Sequence, residues 1–395
     1  MANVTLQRVE RLAPTLATLT FARLILNGMR RFPYLVLTPL SAALGVPRAT
    51  LETVLSLTWV LSLISPFASP FIERGRKRVM LVGIGLFVIG AGLAAVGQTF
   101  GFVALALALG SLSKTLYDPS MLAYVGDHVP FARRGMAIGV TELAWSGSLV
   151  TFGPLSAFLI TRVGPGAIFG LLAICAAVAW LVLLRVLPND TAQRTLEGSA
   201  RPSAGVAIRS ILQSRPALVL LLAIFLIALA FDLFLIIYES WLIENFKLDT
   251  LTIGNLSFVF GAAELGGEAV IIFLSDRVGK KRLAVAAALA TAATYVLLSL
   301  TAATFALAML TLFVMFFCFE ISTISVSPLA TEIAPAARGY MLTFIWSSVA
   351  LGRALGTFGG GVLFRAAGFG ANMGAAAVLS VVAGVLLWAF FRLRD

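Results

Sequence analysis

Apolar residues run along this chain in stretches of about twenty, each closed by a short group of charged residues, glycine or proline. Residues 79–97, 165–187 and 283–300 are clear examples. At ~1.5 Å rise per residue, a helix of that length crosses a hydrocarbon core about 30 Å thick. Glycine and proline inside the runs suit membrane helices, not barrel strands. The pattern predicts twelve spans: 12–40, 49–71, 79–97, 101–126, 135–161, 165–187, 215–243, 250–274, 283–300, 303–330, 338–364 and 369–391. Between the sixth and seventh, residues 188–214 carry Asp190, Arg194, Glu197, Arg201, Arg209, Pro188 and Pro202, which predicts a polar linker. The expected protein is all-α and membrane-embedded, with two six-helix lobes at 1–187 and 215–395 joined by that linker.

Composition agrees. Of 395 residues, 60% are hydrophobic and 12% charged, too few polar residues to cover a soluble surface. A net charge of +11 raises the idea of nucleic acid, but the bases are not spread evenly. Of 29 Lys and Arg, 20 fall at the termini and even-numbered loops and only four in the opposite loops. By the positive-inside rule, both termini and the linker then face the cytoplasm, and most of the charge orients the protein instead of binding nucleic acid. The first apolar run contains Arg23, Arg30 and Arg31 and no small-residue cleavage site, so it reads as a span and not a leader. Cys175 and Cys318 lie inside spans, and no metal-ligand spacing occurs, so neither disulfide, metal nor cofactor is expected. His128 is the one histidine, placed in a loop where it is a poor proton relay. Without a His-Asp or Ser-His cluster an enzyme is not expected, and without a phosphate-binding Gly-Lys-Ser/Thr loop neither is an ATP-driven pump.

Two charged phrases expose a repeat. Gly75-Arg76-Lys77-Arg78 maps onto Gly279-Lys280-Lys281-Arg282 at a shift of 204 residues. The same shift carries Arg134-Gly135 onto Arg338-Gly339, and Gly164 and Gly166 onto Gly368 and Gly370. Upstream, Glu73-Arg74 maps onto Asp276-Arg277 at 203, so the first copy lacks one residue. A shift of half the chain means a duplicated six-helix unit. The glycine of each phrase permits a tight turn.

These residues resemble the major facilitator superfamily, whose loop between helices 2 and 3 reads roughly Gly-x-x-x-Asp-Arg-x-Gly-Arg-Lys/Arg. Asp276, Arg277, Gly279 and Lys280 match; Glu73, Arg74, Gly75 and Arg76 form the departing copy, with Glu for Asp. The resemblance implies alternating access by two lobes, with the acid of this loop latching a gate, and by default a monomer. In the fifth span, Gly153-Pro154 is similar to the Gly-Pro motif of the superfamily's bacterial drug–proton antiporters, although Leu155-Ser156-Ala157 stand where a Gly pair usually follows. Gly and Pro are also common in membrane helices generally. The antiporter resemblance implies a bacterial inner-membrane exporter.

Charge inside a span is costly unless it faces a wet cavity or a partner. Arg23, Asn27, Arg30 and Tyr34 recur at i, i+4, i+7, i+11, one face of the first helix. Lys114 and Asp118 are i, i+4 on the fourth span, and Glu142 lies on the fifth. Glu264 and Glu268 are i, i+4 on the eighth, where two like charges disfavour joint ionisation, so one is expected to hold a proton. Leaving out the four residues at each span end, the first lobe's spans carry four bases and two acids, the second's one base and five acids. Asp232, Glu264, Glu268 and Glu320, with Asp118 and Glu142, are therefore candidate proton carriers, and each is equally readable as half of a structural salt bridge. Arg23, Asn27, Arg30, Tyr34, Lys114 and Arg353 are candidate ligands for cargo, or locks for acids. Trp145, Phe234, Tyr238 and Trp346, with Phe231, Trp241, Phe313, Phe316, Phe317 and Phe319, either line an apolar pocket or pack helices together. The expected function is proton-coupled export of small amphipathic drugs or metabolites. The alternative is proton-linked uptake, or lipid transport, of molecules with an anionic head.

Overall fold

The computed structural model describes residues 12–129, 131–187, 204–334 and 338–392, and every regular element among them is helical. Helix α1 (Leu12–Arg31) stops because Pro33 disfavours helical backbone at the residue before it. A 3-10 turn, Phe32–Leu35, leads into α2 (Leu37–Leu44), which ends on Gly45 in the left-handed region. The second predicted span is also two pieces, α3 (Arg48–Leu61) and α4 (Ser65–Arg74), around a 3-10 turn at Ser62–Ile64. Four unbroken helices follow: α5 (Arg76–Gly97), α6 (Phe100–His128), α7 (Phe131–Arg162) and α8 (Pro165–Val186). The later chain forms α9 (Ala204–Gln213), α10 (Arg215–Leu235), α11 (Tyr238–Phe246), α12 (Thr250–Val278), α13 (Lys280–Thr301), α14 (Phe305–Ile324), α15 (Val326–Ile333) and α16 (Arg338–Arg392).

Eight described stretches are long and apolar enough to cross a membrane. One of them, Gly339–Ala389, is two predicted spans broken at Gly368, so nine of the twelve predicted spans are among them. The remaining three correspond to α1–α2, α3–α4 and α12, which carry Arg23, Arg30, Arg31, Glu52, Glu264 and Glu268. Residues 188–203 of the predicted linker lie outside the described residues, while 204–213 form helix α9, so its last stretch is not simple coil.

Two compact units emerge: residues 1–47 with 67–197, and residues 48–66 with 198–395. The expected lobe boundary therefore shifts at one place, because 48–66 clusters with the second unit.

The repeat is visible in the backbone. Gly164 and Gly368, 204 residues apart, both have positive φ, 120° and 77°. Each sits between two helices where an L side chain would be strained. The charged phrases are less alike. Gly279 has φ 92°, but Gly75 has φ −178°, an extended conformation open to any residue. The tight-turn role expected of both glycines holds only for Gly279, consistent with the residue missing from the first copy. In a short exposed loop, Asp249 accepts from the Thr252 backbone N–H at 2.7 Å and caps α12. Those Thr252 hydrogen bonds hold its carboxyl below its ordinary range, so the cap is present at neutral pH and lost in acid.

In lipid, helices gain little from apolar burial against one another, and small residues let backbones approach. Gly352, Gly356 and Gly360 recur every fourth residue on α16 and lie against α10. A Cβ at Gly356 would sit 2.6 Å from the Leu229 carbonyl oxygen, and one at Gly352 would overlap the Phe225 carbonyl. Gly352→Ala should therefore cost about 1–3 kcal/mol by overpacking and lower the thermal midpoint in detergent. Gly374→Ala, which meets nothing within 4 Å, should leave the midpoint unchanged or raise it.

Candidate functional site

In the first unit, α1, α6 and α7 bring three cations together. Arg23, almost wholly buried, pairs with Glu142 at 2.8 Å and Asp118 at 3.4 Å and donates to the Thr141 carbonyl at 3.0 Å. Lys114 donates to Asn27 and to Asp118, both at 2.6 Å. Arg31 donates to the Trp145 carbonyl at 3.1 Å, with its guanidinium 4.4 Å from the Trp145 ring centroid. The Lys114 ammonium lies 5.9 Å from the same ring. Close packing of α1 on α7 supports this arrangement: a Cβ at Gly28 would overlap the Phe152 ring, and one at Gly147 would lie 3.2 Å from Leu24.

The predicted helical face is partly realised. Arg23 and Asn27 join the cluster, and Arg30 is half-buried at the last turn of α1. Tyr34 does not continue the face, because the helix has become a 3-10 turn, and it is buried. Arg31 takes its place. The signal was present: Arg31 is four residues after Asn27, and tryptophan is a preferred face for a guanidinium.

In the second unit, fully buried Asp232 on α10 faces α16. Arg353 pairs with it at 3.3 Å, and the Thr357 hydroxyl donates to it at 3.1 Å. The Arg353 guanidinium also stands 4.9 Å from the Trp59 ring centroid and 5.7 and 5.9 Å from those of Phe231 and Phe319. Glu264, Glu268 and Glu320 are all buried. Gly267 brings α12 onto α14 so closely that its Cβ would lie 3.1 Å from that of Glu320. Glu320 thus lies on the stretch of α14 that packs against α12 at Gly267.

The aromatic residues of this unit pack on one another. Phe231 stacks on Phe319 at 3.6 Å and Phe260 on Phe316 at 4.8 Å, while Tyr238 meets Phe234 and Phe260 edge-on. Phe234 and Tyr238 are fully buried, so in this arrangement they hold helices together. Trp346 is nearly half exposed.

The loop motif acts on helix ends. Arg76 donates to the Ala123 carbonyl at 2.7 Å, near the end of α6, and Lys77 to those of Leu184 and Leu187 at 2.8 and 2.5 Å, closing α8. Cations belong at helix C-termini. The side chains of Glu73, Arg74, Asp276 and Lys280 lie outside the described residues, and Arg277 is exposed. Gly153 and Pro154 lie within α7, where the Ser156 hydroxyl donates to the Gly153 carbonyl at 2.9 Å. His128 stacks on Tyr124 at 3.9 Å. Among the described residues no group of His, Cys, Asp and Glu is arranged to hold a metal.

A sequence model of the Major Facilitator Superfamily matches residues 19–235 and again 220–395. An uncharacterized MFS-type transporter of Bacillus subtilis (strain 168), YceJ, is 26% identical over 323 residues, 81% of each chain. A second from the same strain, YwfA, is 32% identical over 96 residues, about a quarter of each chain. Among solved structures, the human organic anion transporter MFSD10 (TETRAN) superposes with a TM-score of 0.73 at 18% identity, covering 95% of this chain and 99% of its own. The POT family transporter PepTSo gives 0.75 at 13%, covering 98% and 99%. At those identities the likeness is one of fold.

Asp232→Asn leaves the Arg353 guanidinium buried without the carboxylate seen beside it. Removing one member of a buried pair costs about 3–5 kcal/mol. The single variant should lose several degrees of thermal midpoint, and Asp232→Asn with Arg353→Met should regain much of it in a double-mutant cycle.

Proposed function

Because this chain belongs to the major facilitator superfamily, we propose that it is a proton-coupled secondary transporter that exports amphipathic organic molecules carrying an anionic group. One observation carries this reading: among the described residues buried bases predominate in the first unit and buried acids in the second, where Arg353 is a buried base paired with Asp232. In the first, Arg31 and Lys114 stand over the Trp145 ring, and Lys114 bonds Asn27 and Asp118, the second of which Arg23 also meets. Asp232, Glu264, Glu268 and Glu320 are buried in the second. An organic anion with an aromatic or apolar body matches a site of cations on an indole face. Carboxyls held away from water are suited to take and release protons as their surroundings change.

Export is the direction favoured by Gly153-Pro154 and its resemblance to the antiporter motif. The fold neighbour MFSD10 is itself described as an organic anion transporter; at its identity it lends the fold, and the cargo is argued from the cation cluster. The aromatic lining first expected of a general drug site is packed as core in the second unit, which shifts the preference toward anions. The chain is a multi-pass membrane protein, placed in this reading in a bacterial inner membrane with cytoplasmic termini.

The test uses purified protein in liposomes with an imposed pH gradient, given an arylalkyl carboxylate, its neutral amide, or tetraphenylphosphonium. Protein-free liposomes correct for passive entry of the weak acid. An acidic lumen should drive uptake of the carboxylate alone, with dissipation of the gradient. Uptake driven by an alkaline lumen would show symport, and preference for the cation would overturn the cargo. Glu264→Gln should remove the dependence on the gradient while leaving carboxylate binding within a few-fold, whereas Lys114→Gln should weaken binding about tenfold, near 1.4 kcal/mol.

A further inference from the structure

Helix α10 ends at a backbone defect that another helix repairs. The Ile236 N–H donates to the Asp232 carbonyl four residues back, but the next amide, Ile237, reaches only three back, to Phe234, at 3.1 Å. The Leu233 carbonyl is thereby passed over at the end of the ladder. Asn372, fully buried on α16 just beyond Gly368, donates to it through Nδ2 at 2.7 Å. The same Nδ2 donates to the Gly360 carbonyl, before Gly368 on α16, at 2.9 Å. The two carbonyls converge because residue 360 has no side chain: a Cβ there would sit 2.8 Å from the Leu233 oxygen. Asn372 Oδ1 has no hydrogen-bond partner among the described residues, and turning the amide over would set that oxygen against two carbonyl oxygens. The two carbonyls therefore fix which way the amide faces.

We infer that Asn372 is a positioning residue: by gripping Leu233 and Gly360 together it sets how α10 lies on α16, and so how Asp232 meets Arg353 and Thr357. Asp232 directly precedes Leu233, and Thr357 and Arg353 stand about one and two turns before Gly360. Along this seam a Cβ at Gly356 would lie 2.8 Å from that of Asp232, so the helices touch beside the pair and a slip between them is felt there. The Thr357 bond is 3.1 Å long, and a drift of about half an ångström takes it out of hydrogen-bonding range. Without the Asn372 donor, the Leu233 carbonyl is buried where no water can reach it. It is then satisfied by resuming the α-helical bond with Ile237, which turns the end of α10, or by parting from α16. Either response displaces the residue next to Asp232. In the proton-coupled reading Asn372 then acts on the coupling step through Asp232; that clause rests on the reading, and the grip itself does not.

The grip is read as the coupling between Asp232→Asn and Arg353→Met in a double-mutant cycle, measured by SDS unfolding of the purified full chain in mixed micelles. The cycle is run in the parent and again with Asn372→Leu, which keeps the approximate shape and removes the donors. In the Asn372→Leu background the coupling should be at least about tenfold smaller in the unfolding constant, equivalent to about 1.4 kcal/mol. Met373→Ala, one residue along and also buried, should lower stability by leaving a cavity while holding the coupling within about twofold of the parent. Asn372→Ser, whose single short donor cannot span both carbonyls, keeps the test open should Asn372→Leu fail to fold, and should lose coupling in the same direction. Undiminished coupling in the folded Asn372 variants, or an equal loss with Met373→Ala, would overturn the grip. So would a parent without coupling, since there would be no pair for Asn372 to set. No proton or cargo moves in this measurement, so its failure and failure of the proton-coupled reading are separate results.

Discussion

A charge buried at membrane depth has to be met by another group of the protein, and this constraint organises both units. Hydrocarbon offers no water to solvate Arg23 or Asp232, and each unpaired ion would cost several kcal/mol. Arg23 therefore ties α1 to α6 and α7 through Asp118 and Glu142. Asp232 ties α10 to α16 through Arg353 and Thr357. Of these five helices only α1 is missing from the stretches long and apolar enough to cross a membrane; the other four carry their charge inside apolar runs. Function and fold meet there, because the groups that pin the helices are also those proposed to bind an anion or move a proton.

Backbone interruptions set where those charges point. Pro33 ends α1 directly after Arg30 and Arg31, so Arg31 turns to Trp145 and Tyr34 leaves the helical face. The break between α10 and α11 exposes the Ile236 carbonyl to Arg48. The turn at 62–64 separates α3 from α4 and allows one span to be shared between units. Around these breaks, glycines permit backbone contact that larger residues would block, as Gly356 does under Leu229 and Gly361 under Glu52.

The two copies of the ancestral half keep their architecture and differ in chemistry. Gly164 and Gly368 preserve the same backbone solution at the same joint. Gly75 and Gly279 do not, in keeping with the one-residue offset between the two loops. The membrane charges have diverged furthest, with bases concentrated in one copy and acids in the other. A pair of identical halves could only be symmetric; divergence of buried charge allows one half to hold cargo and the other to handle protons, as proposed.

The helical character, the duplication and the identity of most buried charges could be read along the chain from its own residue pattern. Apolar length reports a span, a 204-residue shift reports a copy, and i, i+4 spacing reports Lys114 with Asp118, a pair found bonded at 2.6 Å. The tertiary structure alone decided which distant groups meet. Arg23 reaches Thr141 across 118 residues, Arg48 reaches Glu239 across 191, and Arg365 reaches Glu52 across 313. It also decided that Phe234 and Tyr238 pack as core and that Arg31 replaces Tyr34 in the cluster. The physical reason is that helical periodicity fixes a residue's direction within its own helix, while its partner is selected by how helices approach, and that depends on glycine contacts and backbone breaks acting together across the whole unit.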